Sequence, residues 1–150
     1  METREVILNL REKNGFSQDE LAQKLFVTRQ AVSRWETGKP IPDTETLKRL
    51  SMLFNVSINT LLGSPRKLVC QCCGMPLDDL SLSKEPDGSF NESYCKWCYD
   101  GGEFTYKNLD TLIEFLAGHM SNENWPPEKV REYFRAELPK LEYWKKLQEK

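Results

Sequence analysis

The chain has 150 residues, of which 39% are hydrophobic and 29% charged, a composition that suits one compact domain or two small ones. Residues 1–65 carry nine Lys/Arg against eight Asp/Glu, and residues 66–150 carry twelve against fifteen, so the two net charges are +1 and −3. Neither half is basic enough for its total charge to indicate nucleic-acid binding, so such a function must depend on where the charges lie.

No apolar run approaches the roughly 18–20 residues that a bilayer-spanning helix needs. The N-terminal sequence is polar and acidic from Glu2 and lacks the basic start and apolar middle of a signal peptide. We therefore expect a cytoplasmic protein without membrane contact. Thiols are kept reduced in the cytoplasm, so clustered cysteines there favour metal binding or redox chemistry over structural disulfides.

Apolar residues recur at helical spacing from residue 3 to about residue 63, and cap or turn residues separate the segments. The pattern predicts five helices of two or three turns. The predicted N-caps of the second to fifth helices are Ser17, Thr28, Asp43 and Ser57. Helices this short do not persist alone, so they must pack into one all-helical bundle.

The second and third predicted helices are separated by about three residues, with Phe26 in the middle of the turn. Such a short join forces a steep crossing, which is the helix-turn-helix arrangement, and its third helix can enter a DNA major groove. The outer face of that helix carries Arg29, Gln30, Ser33 and Arg34. Arg pairs bidentately with guanine and Gln with adenine, each pair contributing about 1–3 kcal/mol of discrimination.

Gln18, near the start of the second helix, and Lys39, in the loop after the third, are placed to contact phosphates. Spacing alone leaves another interpretation open, a helical bundle whose polar face is only solvated.

The stretch "LREKNGFSQDELAQKLFVTRQAVSRWETGKPIPDTETLKRLSMLFNVSINTLLG" resembles the phage repressor/Cro family of helix-turn-helix domains over nearly its whole length. The matching positions are Gly15, Ser17, Gln18, Leu21, Ala22, Leu25, Val27, Val32, Ser33, Trp35, Glu36, Gly38, Pro42, Leu47, Leu50, Val56 and Leu61 to Gly63. The resemblance implies sequence-specific binding of double-stranded DNA, usually as a dimer on an inverted repeat.

The resemblance also assigns roles to single residues. The implied base-facing residues are Arg29, Gln30 and Ser33, and the implied phosphate-facing residues are Gln18, Thr28, Arg34 and Lys39. Arg11 and Glu36 fall where the family often has a buried ion pair between the first and third helices. Phe26 departs from the family, which usually has Gly or Asn there, so we expect either an altered turn or a ring held by packing, for example against the second domain.

The second half contains two paired cysteines, Cys70-x2-Cys73 and Cys95-x2-Cys98, separated by 21 residues. This spacing is typical of a four-cysteine zinc site, in which each turn presents two sulfurs to one ion. Between the pairs, Pro86-Asp87-Gly88 predicts a hairpin turn, and "GGEFTY" after the second pair predicts a short strand. The pattern predicts a zinc ribbon with one Zn2+ on Cys70, Cys73, Cys95 and Cys98.

The residues leave other chemistry open for these thiols. A redox disulfide and an iron–sulfur cluster both use cysteine pairs, although no thioredoxin-like βαβ pattern surrounds either pair. A catalytic zinc is disfavoured because four thiolates close the coordination sphere. Cys72 is the spare thiol. His119, the single histidine, is a further candidate ligand, but it has no ligand partner nearby in the sequence.

The segments "CQCCGMPL", "YCKWCYDGGEFTY", "LIEFLAGHM" and "LPKLEYWKK" resemble a zinc-ribbon family of bacteria and archaea over residues 69–147. That family's function is poorly defined, so the resemblance implies zinc and little more. Helical spacing predicts one helix from about Asp110 to His119 and another after Pro126-Pro127, bent or restarted at Pro139. The aromatic residues of these helices would form the core or a partner surface, with the core favoured.

We thus expect a mostly α fold with a small β zinc ribbon: a helix-turn-helix domain over residues 1–63, a linker over 64–68 and a ribbon with C-terminal helices over 69–150. The expected function is a bacterial DNA-binding transcription regulator whose ribbon is structural. Two alternatives are a zinc or redox sensor that uses Cys72 as its reactive thiol, and a ribbon that recruits a protein partner. No Ser/His/Asp set, phosphate loop or open metal site indicates an enzyme.

Overall fold

The structure is a computed structural model that describes residues 1–38 and 40–148. The chain divides into two compact units. The N-terminal unit comprises Met1–Lys67 with Gly88–Phe90, and the C-terminal unit comprises Leu68–Asp87 with Asn91–Lys150. Each unit has its own buried apolar core.

Five helices build the N-terminal unit. They are α1 (Thr3–Lys13), α2 (Gln18–Leu25), α3 (Arg29–Thr37), α4 (Thr44–Phe54) and α5 (Ile58–Leu61). The side chains of Ser17, Thr28, Asp43 and Ser57 each accept a hydrogen bond from the backbone N–H three residues later. Each cap satisfies a donor that the first helical turn leaves unpaired. The predicted five helices and their N-caps are therefore confirmed.

The core of this unit consists of the apolar stripes that define the helices. Its buried members are Val6, Ile7, Leu21, Ala22, Leu25, Val32, Trp35, Leu47, Leu50 and Leu61. After α5, Arg66 exchanges two hydrogen bonds with the Asn59 side chain, at 3.0 and 3.3 Å. The segment after Gly63 is thus tied to α5 as far as Arg66.

In the C-terminal unit the first cysteine turn is followed by short strands, all of whose residues except Phe90 belong to this unit. They are β1 (Leu82–Lys84), β2 (Phe90–Cys95), β3 (Tyr99–Asp100) and β4 (Glu103–Phe104). They form two two-stranded sheets, β1-β2 and β3-β4, and the second pairs Tyr99 with Phe104 in antiparallel register. The predicted strand "GGEFTY" is only partly correct, because Gly101 and Gly102 adopt positive φ and form the β3–β4 turn.

Three helices and a 3-10 turn complete the C-terminal unit. They are α6 (Leu109–Met120), α7 (Pro127–Glu137), the 3-10 turn Leu138–Lys140 and α8 (Glu142–Gln148). Pro139 lies in the 3-10 turn, so the predicted interruption is confirmed. Phe134 and Trp144 are buried, which confirms core packing for these aromatic residues, whereas Tyr133 remains 52% exposed. No helix of residues 1–38 and 40–148 is both long and apolar enough to cross a bilayer.

Candidate functional site

The α2–α3 turn comprises Phe26, Val27 and Thr28. Backbone hydrogen bonds close it, since the N–H of Val27 donates to the Ala22 carbonyl at 3.0 Å and the N–H of Phe26 donates to the Gln23 carbonyl at 3.4 Å. Ala22 is buried against the core, where a small side chain permits the helices to approach closely. The turn therefore fixes the direction in which α3 leaves α2.

Phe26 keeps the left-handed conformation that the turn requires, with φ 58° and ψ 41°. The turn is therefore not altered, and at 83% exposure Phe26 is not held by burial in a core. The guanidinium of Arg49 lies 5.5 Å from the ring centroid and also donates to the Leu25 carbonyl at 3.1 Å. A non-glycine residue in this conformation costs about 1–2 kcal/mol.

The orientation of α3 follows from its buried face. Val32 and Trp35 enter the core, which turns Arg29, Gln30 and Arg34 toward solvent and leaves Ser33 half-buried. The Nε of Arg34 donates to the Gln30 carbonyl at 3.4 Å. Among the described residues, no hydrogen-bond partner is found for the side chain of Arg29. The predicted base-facing residues thus share one accessible stretch of α3.

The other predicted phosphate contacts differ in their surroundings. Gln18 begins α2, and its amide donates to Glu36 Oε1 at 3.1 Å, which fixes the side chain. The Thr28 hydroxyl accepts a bond from the Ala31 N–H at 3.2 Å and caps α3. Lys39 lies outside the described residues.

Arg11 and Glu36 form the ion pair that the resemblance implied. Arg11 Nε donates to Glu36 Oε2 at 2.6 Å and Arg11 Nη2 to Oε1 at 2.9 Å. Their side chains are only 13% and 6% exposed, and hydrogen bonding to Glu36 raises the pKa of Arg11 above its ordinary value. This confirmed pair joins α1 to α3, and through Gln18 it also reaches the start of α2.

The first cysteine pair is carried by a short hairpin. The N–H of Cys70 donates to the Met75 carbonyl at 2.9 Å, and the N–H of Gly74 donates to the Cys70 carbonyl at 2.8 Å. Gly74 has φ 81°, a conformation that glycine adopts without strain. The hairpin thereby turns the side chains of Cys70 and Cys73 to the same side.

The second pair lies between two strands. Cys95 ends β2, Cys98 precedes β3, and the N–H of Cys98 donates to the Cys95 carbonyl at 3.1 Å. The sulfurs of Cys70, Cys73, Cys95 and Cys98 all lie within 4.8 Å of one another. The sulfurs of Cys73 and Cys95 are 3.8 Å apart, which is the edge of a tetrahedron with Zn–S bonds of about 2.3 Å. The donor set and its spacing therefore fit a closed zinc site.

Backbone donors favour thiolate at one corner of this cluster. The N–H groups of Cys72, Cys73 and Cys95 point at Cys70 Sγ, at 3.4, 3.5 and 3.3 Å. Hydrogen bonding with Cys73 lowers the pKa of Cys70, whereas hydrogen bonding with Cys70 raises the pKa of Cys98. Four thiols this close cannot all ionise without a cation among them, and a divalent ion would supply that charge.

Two residues considered as alternatives, Cys72 and His119, are not members of the four-sulfur group. Cys72 is fully buried, and its carbonyl accepts a hydrogen bond from Trp144 Nε1 at 2.7 Å. His119 Nδ1 lies 3.0 Å from the Phe115 carbonyl, and the histidine is not part of the four-sulfur group. A cavity lies beside the cysteines, and the sequence did not indicate it; the position of Trp97 between Cys95 and Cys98 was a sign that the sequence offered.

Two family descriptions match the chain. "Putative zinc ribbon domain" matches residues 69–145, and "Helix-turn-helix" matches residues 7–61. The first covers the four clustered cysteines and the second covers α2 and α3.

Curated relatives are similar over part of their length. HTH-type transcriptional activator BcrR of Enterococcus faecalis is 44% identical over 63 residues, 42% of this chain and 31% of BcrR. HTH-type transcriptional regulator ImmR of Bacillus subtilis (strain 168) is 45% identical over 53 residues, 35% of this chain and 42% of ImmR. The chain thus spans less than half of either relative. A crystal structure of a transcriptional regulator from Listeria innocua is 17% identical over 92% of each chain, with a TM-score of 0.41.

Proposed function

The chain belongs to the zinc ribbon family that matches residues 69–145 and carries a helix-turn-helix domain over residues 7–61, and we propose that it is a transcription regulator that binds double-stranded DNA through α3. The observation that carries the proposal is the exposed face of α3, on a helix whose other face is locked into the core. Arg29, Gln30 and Ser33 read base edges in this proposal. Gln18, Thr28, Arg34 and Lys39 contact phosphates.

The geometry supports this division of roles. Arg29 and Gln30 occupy the first turn of α3, the part of a recognition helix that reaches furthest into the major groove. Gln18 and Thr28 stand at helix N-termini, where backbone N–H groups attract phosphate. The ion pair of Arg11 with Glu36 keeps α3 in place, so it supports recognition without contacting DNA.

Base reading can be separated from general attraction to DNA by two matched variants. We expect Arg29→Ala to weaken binding to the selected cognate duplex by about 1–3 kcal/mol while changing binding to random DNA much less. Lys48→Ala removes the same charge from an exposed position of α4 and should leave the ratio of the two affinities unchanged. The cognate site is first obtained by selecting random duplexes with the full chain, and both affinities are measured at one salt concentration.

An equal loss of cognate and random binding in Arg29→Ala would contradict base reading by this residue. Failure of the full chain to enrich any duplex sequence would contradict the proposal as a whole.

We further propose that Cys70, Cys73, Cys95 and Cys98 hold one Zn2+ as a structural ion. The support is the compact donor set and the absence of a coordination position for substrate once four thiolates bind. Such an ion contributes to folding of a small unit, by about 10–16 kcal/mol in comparable peptides. Metal analysis of the purified chain should find one zinc ion per chain.

The alternatives differ in support. Complete burial of Cys72 weighs against its acting as a first target of oxidants, because reactive thiols are accessible. Homodimerisation on an inverted repeat and recruitment of a protein partner by the ribbon stay predictions. The domain boundaries at residues 63 and 69 also stay predictions. Action in the cytoplasm stays a prediction as well, and DNA binding in a bacterium would require it.

A further inference from the structure

A cavity of about 570 Å³ lies in the C-terminal unit between α6, α7 and the two cysteine turns. Its volume falls within the range of about 300–1,000 Å³ that is typical of small-molecule sites. Aromatic side chains dominate its wall, among them those of Trp97, Tyr106, Phe115, His119, Trp125 and Tyr133. Trp97, Phe115 and Tyr133 are each about half exposed, so the cavity opens to solvent between rings.

The zinc site does not account for this space. Cys73, Cys95 and Cys98 border the cavity at one end. An ion held among sulfurs that lie within 4.8 Å of one another fills only the centre of that cluster, a small part of 570 Å³. Most of the cavity volume therefore lies among the aromatic side chains and not at the zinc site.

The lining indicates the charge of a ligand. Among the described residues, no Asp, Glu, Lys or Arg side chain lines the cavity. Among the described lining residues, the charged groups would then be the zinc-bound thiolates of Cys73, Cys95 and Cys98, which repel an anion and share their charge with the metal ion, so an ion entering the cavity would lose hydration for little compensation. Flat rings instead offer stacked and edge-to-face contacts to an uncharged aromatic molecule, like the 5.7 Å contact between Trp125 and Tyr133.

His119 adds one directional group. Its Nδ1 lies 3.0 Å from the Phe115 carbonyl, which can only accept, so Nδ1 carries the proton. In the neutral ring Nε2 is then an acceptor. The imidazole also stacks on the Phe115 ring at 4.0 Å between centroids, which fixes its plane. A ligand with an O–H or N–H donor matches this arrangement.

We propose that this cavity is a binding site for an uncharged, planar aromatic molecule of two or three rings that carries a hydrogen-bond donor. The site is built by residues of the C-terminal unit alone, so the proposal does not depend on DNA binding.

The four methionines permit a test on the unaltered chain. Met75 and Met120 line the cavity, whereas Met1 and Met52 belong to the N-terminal unit and are 74% and 50% exposed. The probe is N-phenyl-1-naphthylamine, which is uncharged, has an aromatic amine N–H and is titrated into zinc-loaded, methyl-labelled full-length protein. We expect saturable one-site shifts of the Met75 and Met120 methyl signals and no shift of the other two.

Substitutions of lining residues then test whether the probe binds inside the cavity. Phe115→Ala and Tyr133→Ala each remove a half-exposed ring and should weaken probe binding by about tenfold. Leu80→Ala, which removes an apolar side chain that is 81% exposed and does not line the cavity, should leave it unchanged. His119→Phe should weaken binding of 1-naphthol, which has a donor, but not of 1-methoxynaphthalene, which has none.

Several results would overturn the proposal. These are absence of saturable binding, equal shifts of all four methyl signals, and equal loss of affinity in Leu80→Ala. Concentration-dependent shifts of Met75 and Met120 without probe, accompanied by loss of probe binding, would show instead that a second copy of the chain covers this face.

Discussion

Phe26 and Asn55 adopt nearly the same backbone conformation, with φ and ψ of 58° and 41° and of 55° and 46°. Both residues are exposed and end a helix of the N-terminal unit, α2 in one case and α4 in the other. Asn tolerates this left-handed region because its short polar side chain bonds locally, whereas Phe does not have that compensation. The chain therefore carries backbone strain at the helix-turn-helix turn.

Exchanging the two residue types tests that strain. We expect Phe26→Asn to raise the free energy of unfolding of the N-terminal unit by about 1 kcal/mol, and Asn55→Phe to lower it by a similar amount. Hydrogen exchange of the α2 and α3 amides measures both changes in the full chain. A lower stability of Phe26→Asn would mean that the ring contact with Arg49 outweighs the backbone strain.

At the scale of elements, two bidentate Arg–Glu pairs each join a pair of helices. Arg11 and Glu36 join α1 to α3 and are 13% and 6% exposed, whereas Arg131 and Glu114 join α7 to α6 and are 36% and 56% exposed. Their hydrogen-bond geometry is similar, with donor–acceptor distances of 2.6 and 2.9 Å against 2.9 and 3.2 Å. Burial is therefore the main difference between them.

That difference predicts unequal effects of the same substitution. Glu36→Gln leaves a buried guanidinium without its counter-charge and should destabilise the N-terminal unit by about 3 kcal/mol. Glu114→Gln should cost less than about 1 kcal/mol, because water screens and replaces an exposed pair. Urea unfolding of the two variants provides the comparison, and equal losses would contradict the role assigned to burial.

At the scale of the whole molecule, each unit has a separate core, and the cysteine cluster lies within one of them. Cys70, Cys95 and Cys98 are buried among the aromatic and apolar side chains of the C-terminal unit. Removal of the proposed zinc would leave these thiols crowded, without the charge that permits them to ionise together. The stability of this unit should therefore depend on the metal.

Cys73→Ser and Cys72→Ser are matched substitutions at adjacent positions, of which only the first changes the four-sulfur group. We expect Cys73→Ser to lower the zinc content well below one ion per chain and to unfold the C-terminal unit, while α1–α5 keep their hydrogen-exchange protection. Cys72→Ser should retain one zinc ion. Unchanged zinc content in Cys73→Ser would remove Cys73 from the site, and loss of α1–α5 would contradict separate folding.

The local sequence was sufficient to predict many of these helices, caps and cysteine pairs. Caps at Ser17, Thr28, Asp43 and Ser57 act within three residues, and each pair of cysteines shares one turn, so short-range spacing was sufficient to predict both. The ion pair of Arg11 with Glu36 spans 25 residues, and the resemblance, not spacing, indicated it. The strand expected over "GGEFTY" was shorter than predicted because two glycines were needed for the turn.

The sequence by itself determined which segments become helices, which cysteines are paired and which side of α3 is polar, because caps, periodicity and turns are local properties of a chain. Only the tertiary structure decided that Phe26 stays exposed in a strained turn, that Cys72 is enclosed and that distant aromatic residues surround a cavity. Those outcomes depend on how segments that are far apart in the sequence pack against one another, and a local sequence pattern does not specify that packing.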